Sequence, residues 1–201
     1  MVSKRIRRAV VVDTPLRARG VPAPVTADYD AVVYDLDGTL VRLDVDWDAV
    51  AEDAAAALSD RGVDPAGMTL WDVLETAEKA GYREPIEEAI AGHEREGART
   101  SQRLPVADEL PLDVPVGVCS LNCETACRLA LGIHGIDGHV DVVVGRDTVG
   151  TYKPDPEPLL AVVRGLSAEP GRALFVGDSE RDAEAARRAG VPFQYVEERT
   201  S

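Results

Sequence analysis

The chain has 201 residues, 45% of them hydrophobic, which is enough to bury a core in one domain with a modest insertion. Its formal net charge of -14 repels phosphate backbones and excludes nucleic acid as a general partner. No apolar stretch reaches the length of a membrane span, so no membrane partner and a cytoplasmic location are expected.

Residues 1–28 form a basic, proline-containing extension that reads as an arm or an added edge strand. Lys4-Arg5-Ile6-Arg7-Arg8 ahead of Ala9 to Val12 superficially resembles a secretory leader, but the apolar run is short and Asp13 ends it. The stretch from Asp30 to Leu40 is the first with a clear chemical message. An apolar run that reads as a buried strand ends in Asp35-Leu36-Asp37-Gly38-Thr39. Two residues apart in an extended chain, Asp35 and Asp37 face one pocket while Leu36 points the other way. Gly38 permits a tight change of direction, and Thr39 offers a hydroxyl to hold the loop. The same Asp-X-Asp spacing recurs at Asp44 to Asp48, so in this acidic chain the pair acquires meaning only through partners at later strand ends.

The segment 44–103 reads as helical. Asp46 or Asp48 caps a helix running through Val50 and Ala54 to Leu58, ending near Arg61-Gly62. Thr69 caps a second, with Leu70, Val73, Leu74 and Ala77 on one face and Gly81 as its stop; Pro85 fits the first turn of a third that runs toward Arg99. Trp47, Trp71 and Tyr82 are expected to pack these helices together. The second half alternates: strand 116–120, helix 124–131, strand 140–145, helix 156–166, strand 173–176, helix 181–189 and strand 193–196. Short apolar strands alternating with amphipathic helices predict an α/β fold, a parallel sheet with helices on both faces and ligands at the carboxyl ends of the strands.

Three later segments supply chemistry at those ends. Val118-Cys119-Ser120-Leu121-Asn122 delivers a hydroxyl and then the amides of a helix start, a phosphate-holding geometry; Ser120 as an ordinary helix cap is about as good a reading in isolation. Lys153, one of only three lysines, is fixed between a glycine turn and Pro154, where a point charge suits a phosphoryl oxygen. Phe175-Val176-Gly177-Asp178 ends a strand in an acid, and Asp182 one helical turn later can point to the same place. Several oxygens converging with Asp35 suit a hard cation, magnesium best. Cys119, Cys123 and Cys127 match neither a disulfide framework nor a zinc pattern and read as small buried hydrophobes. The acidic, lysine-poor composition resembles that of proteins from salt-loving microbes.

Taken together, Asp35-Leu36-Asp37-Gly38-Thr39-Leu40, Ser120, Lys153-Pro154 and Gly177-Asp178-Ser179 with Asp182 resemble, in order, the motifs of the haloacid dehalogenase superfamily in its phosphatase branch, phosphoglycolate phosphatases included. The likeness covers Asp30 to Val196. It departs in placing Leu121 between Ser120 and Asn122, where the family often has an Asn directly after the Ser or Thr. It also departs in a proline-rich connection 104–115 with little room for a helix. The resemblance implies a Rossmann-like core made of residues 29–43 and 104–201, with residues 44–103 as a small helical cap. It implies a magnesium-dependent phosphatase acting on a small phosphomonoester. Asp35 would be the nucleophile, forming an aspartyl-phosphate, and Asp37 the proton shuttle. Asp35, the backbone carbonyl of Asp37 and Asp178 would hold the metal. Ser120, the Leu121 amide and Lys153 would hold the phosphoryl group, with Asp182 in support. Asp37 argues against dehalogenation, because a leaving halide needs no proton. Lys79, at a solvated helix end, argues against a Schiff base. A sugar phosphomutase on the same core, or a non-catalytic phosphate-binding or interaction protein, are the alternatives. In the cap, Arg83, Arg95, Arg99 and Arg103 are candidates to greet a carboxylate or second phosphate, although a solvated face explains them as well.

Overall fold

The computed structural model describes residues 28–199, so the expectation for the N-terminal extension lies outside the described residues apart from its last position. Apolar side chains recur with a period of two along the central strands and divide between two cores. In β1 (Ala31–Tyr34), Val32 and Tyr34 face one core while Ala31 and Val33 face the other. In β6 (Ala173–Gly177), Leu174 and Val176 join the first and Ala173 and Phe175 the second. A strand buried on both faces needs no polar side, which is why these strands read as unbroken apolar runs.

Five strands form one sheet in the order β5-β4-β1-β6-β7, all pairs parallel, with β4 at Val116–Cys119, β5 at Val142–Val144 and β7 at Phe193–Tyr195. Helix α4 (Glu124–Ile133) covers one face through Ala126, Cys127, Ala130 and Leu131. Helices α5 (Glu157–Gly165) and α6 (Glu180–Ala189) cover the other, the first through Leu159, Val162 and Val163 and the second through Ala186. This is the expected α/β architecture with helices on both faces. The cysteines are all free and buried, as expected for small hydrophobes. Among the described residues no helix is long and apolar enough to cross a membrane.

Helices α1 (Trp47–Ser59), α2 (Leu70–Ala80) and α3 (Arg83–Arg99) build a third core of their own from Val50, Ala54, Leu58, Val73, Leu74, Ala77, Ile86 and Ile90. Their ends follow the local chemistry. Asp46 accepts hydrogen bonds from the amides of Asp48 and Ala49, both at 3.1 Å. Thr69 and Asp72 form a reciprocal capping box, and Gly81 stops α2 in the left-handed conformation at φ 78°. The chain leaves and re-enters the core through a two-stranded antiparallel ribbon, β2 (Val41–Arg42) against β3 (Gln102–Arg103). Two residues per strand are too few for any periodicity, so this ribbon had no sequence signal. The connection to β4 holds only a single 3₁₀ turn at Pro105–Glu109.

Candidate active site

The site sits where β1, β4 and β6 end. The Asp35 amide donates to the Val176 carbonyl at 2.8 Å, prolonging the ladder by one residue, and the chain then turns around Leu36. Leu36 is buried in the first core, and its carbonyl accepts the amides of Thr39, Leu40 and Val41 at 3.3, 2.9 and 3.0 Å. The loop is therefore held by backbone bonds. The Thr39 hydroxyl, expected to serve that purpose, is buried without a hydrogen-bond partner, a correction explained by this triple acceptance at Leu36.

Gly38 has φ +85°, and a Cβ on it would lie 1.9 Å from Oδ2 of Asp178. Only glycine allows the two acidic loops to come this close. Gly177 repeats the device, since a Cβ there would lie 2.7 Å from Oδ2 of Asp182. Asp182 is fully buried in the first turn of α6, fixed by a capping box with Ser179.

Lys153 ties these pieces together. Its buried ammonium donates to Oδ1 of Asp35 at 2.7 Å, Oδ1 of Asp182 at 2.5 Å and the Cys119 carbonyl at 2.9 Å, which uses all three protons. Burial presses the lysine toward its neutral form, but Asp35 and Asp182 outweigh that and hold its pKa above the ordinary value. Burial pushes Asp35 up to about 8; Lys153 opposes this, and Asp182 and Asp178 add to it. Asp37 and Asp178 are also raised, burial first, then for Asp37 the charge of Asp178 and for Asp178 that of Asp182. Oδ1 of Asp37 accepts the Leu43 amide at 2.8 Å. The Cys119 thiol is pushed up to about 12 by burial, which leaves it unreactive.

Asp35, Asp178 and Asp182 each offer one oxygen within 4.8 Å of the others, a hard, all-oxygen donor set that fits magnesium. Asp37, expected to contribute its backbone carbonyl, is not one of these three side chains. Ser120 is buried beside them. It does not cap α4, whose first cap position is Cys123; its hydroxyl instead donates to Oδ1 of Asn122 at 3.1 Å and accepts the Asn122 amide at 3.2 Å.

One residue of the site was missed. Arg146, 2% exposed, follows β5 and lines the same cavity. Its guanidinium donates to Oε1 of Glu94 at 2.5 Å, Oε2 of Glu94 at 3.2 Å, Oε2 of Glu87 at 2.8 Å and the Leu121 carbonyl at 2.7 Å. Glu94, fully buried on α3, also accepts the Cys123 amide at 2.9 Å and the Asn122 side-chain amide at 3.4 Å. The loop after β4 is thereby fastened to the helical segment. The signal was present: a charged residue directly after the apolar run Val142 to Gly145 stands at the same edge of the sheet as the acids.

A cavity of about 420 Å³ opens between these strand ends and the helices α1 and α2. Asp35, Asp37, Ser120, Leu121, Lys153 and Asp178 line its floor, while Trp47, Leu70, Trp71 and Leu74 line the facing wall. Trp47 is thus not a packing residue: it is 42% exposed, outside the three-helix core. None of the four arginines proposed for the cap reaches the cavity. Arg83 pairs with Glu78 and Glu87, Arg95 with Glu88, Arg99 with Glu96 and Arg103 with Asp108.

Residues 106–196 match the profile of the haloacid dehalogenase-like hydrolases. A phosphoglycolate phosphatase of Aquifex aeolicus is 30% identical over 172 residues, covering 80% of this chain and 81% of that protein. The chain belongs to the haloacid dehalogenase-like hydrolase family. A plasmid-borne phosphoglycolate phosphatase of Cupriavidus necator is 33% identical, with 87% of this chain and 83% of that one covered. Among solved structures, a superfamily hydrolase of subfamily IA from Geobacter sulfurreducens superposes with a TM-score of 0.55 at 28% identity, covering 82% of this chain and 88% of that one. In this hydrolase Asp35 and Asp178 of the acid cluster directly follow β1 and β6, neighbouring strands of the parallel sheet.

Proposed function

We propose that the protein is a magnesium-dependent phosphatase that hydrolyses a small phosphomonoester through an aspartyl-phosphate at Asp35. The observation that carries this reading is the convergence of Asp35, Lys153 and Asp178, drawn from three separate segments, on one cavity floor, with the buried Asp182 bonded to Lys153 behind them. The phosphoglycolate phosphatases among its relatives support the same reaction class.

Asp35 and Asp178, with the Asp37 carbonyl, would hold the metal. Both oxygens of Asp182 are taken by Lys153 and Ser179, which makes Asp182 a positioning residue. The chemistry supplied by a bound magnesium ion is cancellation of charge between the phosphoryl oxygens and the carboxylates. Lys153, by gripping Oδ1 of Asp35, fixes the plane of the nucleophile. Asp35 forms a bond to phosphorus as the ester oxygen leaves with a proton from Asp37. The carboxylate of Asp37 then takes a proton from water, whose oxygen attacks phosphorus, breaks the bond to Asp35 and frees inorganic phosphate. A pKa raised by burial suits Asp37 to the first of these steps. Ser120 and the Leu121 amide, on residues that line the cavity, would hold the phosphoryl oxygens, and α1 to α3 would serve as the cap that walls off the leaving group.

The test is phosphate release from a broad panel of phosphomonoesters, with magnesium and with chelator. Release that requires magnesium and vanishes in Asp35→Asn is the expected result. Failure on every ester, with magnesium bound, would refute the proposal.

A further inference from the structure

The wall facing the acids is what a leaving group meets, and its chemistry is one-sided. Trp47 and Trp71 present two aromatic rings, and Leu70 and Leu74 fill in beside them. Trp47 in particular is exposed and, among the described residues, stands outside the three-helix core. At about 420 Å³ the cavity falls within the ~300–1,000 Å³ range of small-molecule sites. A phosphorylated two-carbon acid would leave much of that space, and the whole aromatic wall, to water.

The charges lining the cavity point the same way. Its two cations are both already neutralised, Lys153 by Asp35 and Asp182, Arg146 by Glu87 and Glu94. Arg181 touches the wall only by stacking on the Trp71 ring, 4.5 Å from its centroid, and is not among the lining side chains. Arg83, Arg95, Arg99 and Arg103 are paired elsewhere. Among the described side chains that line the cavity, a carboxylate on the leaving group would therefore meet Asp37, Asp178 and apolar groups and no unpaired cation. One guanidinium proton of Arg146 remains beyond its four hydrogen bonds, enough for a neutral acceptor such as a ring nitrogen or ether oxygen.

We propose that the leaving group this cavity selects is an uncharged aromatic or heteroaromatic alcohol, in preference to a short hydroxy acid. The inference rests on the phosphatase reading for its chemistry, but the shape and charge of the wall are independent of turnover. A flat ring stacks on the exposed Trp47, a contact that gains from both area and ring geometry, beside Trp71, whose own ring already carries Arg181 and lies 5.5 Å from that of Tyr152.

The decisive experiment uses a pair of inert phosphonates with magnesium, titrated into the full-length protein by calorimetry. 2-Phenylethylphosphonate copies benzyl phosphate, and 3-phosphonopropionate copies phosphoglycolate. The expected result is at least tenfold tighter binding of the aromatic ligand, with that ratio collapsing toward one in Trp47→Ala; the exposed position of Trp47 leaves the helix core intact in the variant. In parallel, benzyl phosphate should exceed phosphoglycolate in kcat/KM by a similar factor. Equal or tighter binding of the carboxylate ligand, binding of neither, or an aromatic preference untouched by Trp47→Ala would overturn the proposal. An aromatic preference in binding without phosphate release from any ester would sustain it while refuting the phosphatase reading.

Discussion

The contact between Glu94 and Arg146 offers a quantitative test of how the helical segment is fastened to the loop after β4. Glu94 is fully buried and accepts hydrogen bonds from the Arg146 guanidinium, the Cys123 amide and the Asn122 side chain. In Glu94→Leu the volume is kept but Arg146 retains only Glu87 and the Leu121 carbonyl, and the amide of Cys123, the cap residue of α4, loses its acceptor. Breaking one side of a buried pair costs about 3–5 kcal/mol, a large share of the ~5–15 kcal/mol that holds a domain together. With a urea slope of about 2.5 kcal/mol per molar, the midpoint should fall by roughly 1–2 M. The double variant Glu94→Leu with Arg146→Met removes the guanidinium that has lost these partners as well. It should therefore lose less than the sum of the single losses, by about 1–3 kcal/mol. Equilibrium urea unfolding followed by far-UV circular dichroism measures all four proteins. Strictly additive losses, or a loss below about 1 kcal/mol for Glu94→Leu, would show that the pair is incidental to the architecture.

Two further outcomes follow from the acid cluster. Gly38→Ala places a methyl 1.9 Å from Oδ2 of Asp178 at a φ of +85°, so calorimetric titration should show magnesium affinity reduced at least tenfold, with a stability loss of about 1–2 kcal/mol; unchanged affinity would mean that Asp178 is not a ligand. In the metal-free protein the folded-state pKa of Asp35, about 8, stands above its ordinary value of 3.8. The protonated form is favoured by folding, so its stabilising contribution is complete at low pH and is lost as pH rises from about 4 to 8. Thermal melts should show wild type losing stability relative to Asp35→Asn over that window. Magnesium, which competes with that proton, should raise the melting temperature more at pH 8 than at pH 6. A magnesium effect that is flat with pH would argue against a carboxylate held protonated in the empty site.

Most of the fold was legible because the sheet is buried on both sides. Runs such as Ala31–Tyr34 and Ala173–Gly177 carry no polar residue, and each ends at a residue with an obvious chemical reason to stop. Caps were equally plain at Asp46, Thr69 and Gly81, since each uses a side chain or backbone preference that is local. The ribbon of β2 and β3 was invisible because its register is set by elements far apart in sequence. Within the site, Asp35 and Asp178 were legible from their places at strand ends, Lys153 as a rare lysine between a glycine turn and a proline, and Asp182 as one helical turn beyond Asp178, and the structure brings their side chains together. Arg146 escaped because its meaning depends on Glu87 and Glu94, which lie on a helix 50 or more residues away. Trp47 was misjudged for a related reason: sequence places it on an amphipathic helix, and only the fold reveals that its ring faces the cavity.

The central claim is that Asp35 takes up the phosphoryl group. Acid quenching of the enzyme during turnover, with substrate labelled in its phosphoryl group, followed by peptide mapping, tests it most directly. The account predicts an acid-stable, base-labile phosphoryl group on the peptide containing Asp35, absent in Asp35→Asn. Active enzyme that releases phosphate without ever carrying label on Asp35, or Asp35→Asn protein that turns over at the wild-type rate, would contradict it.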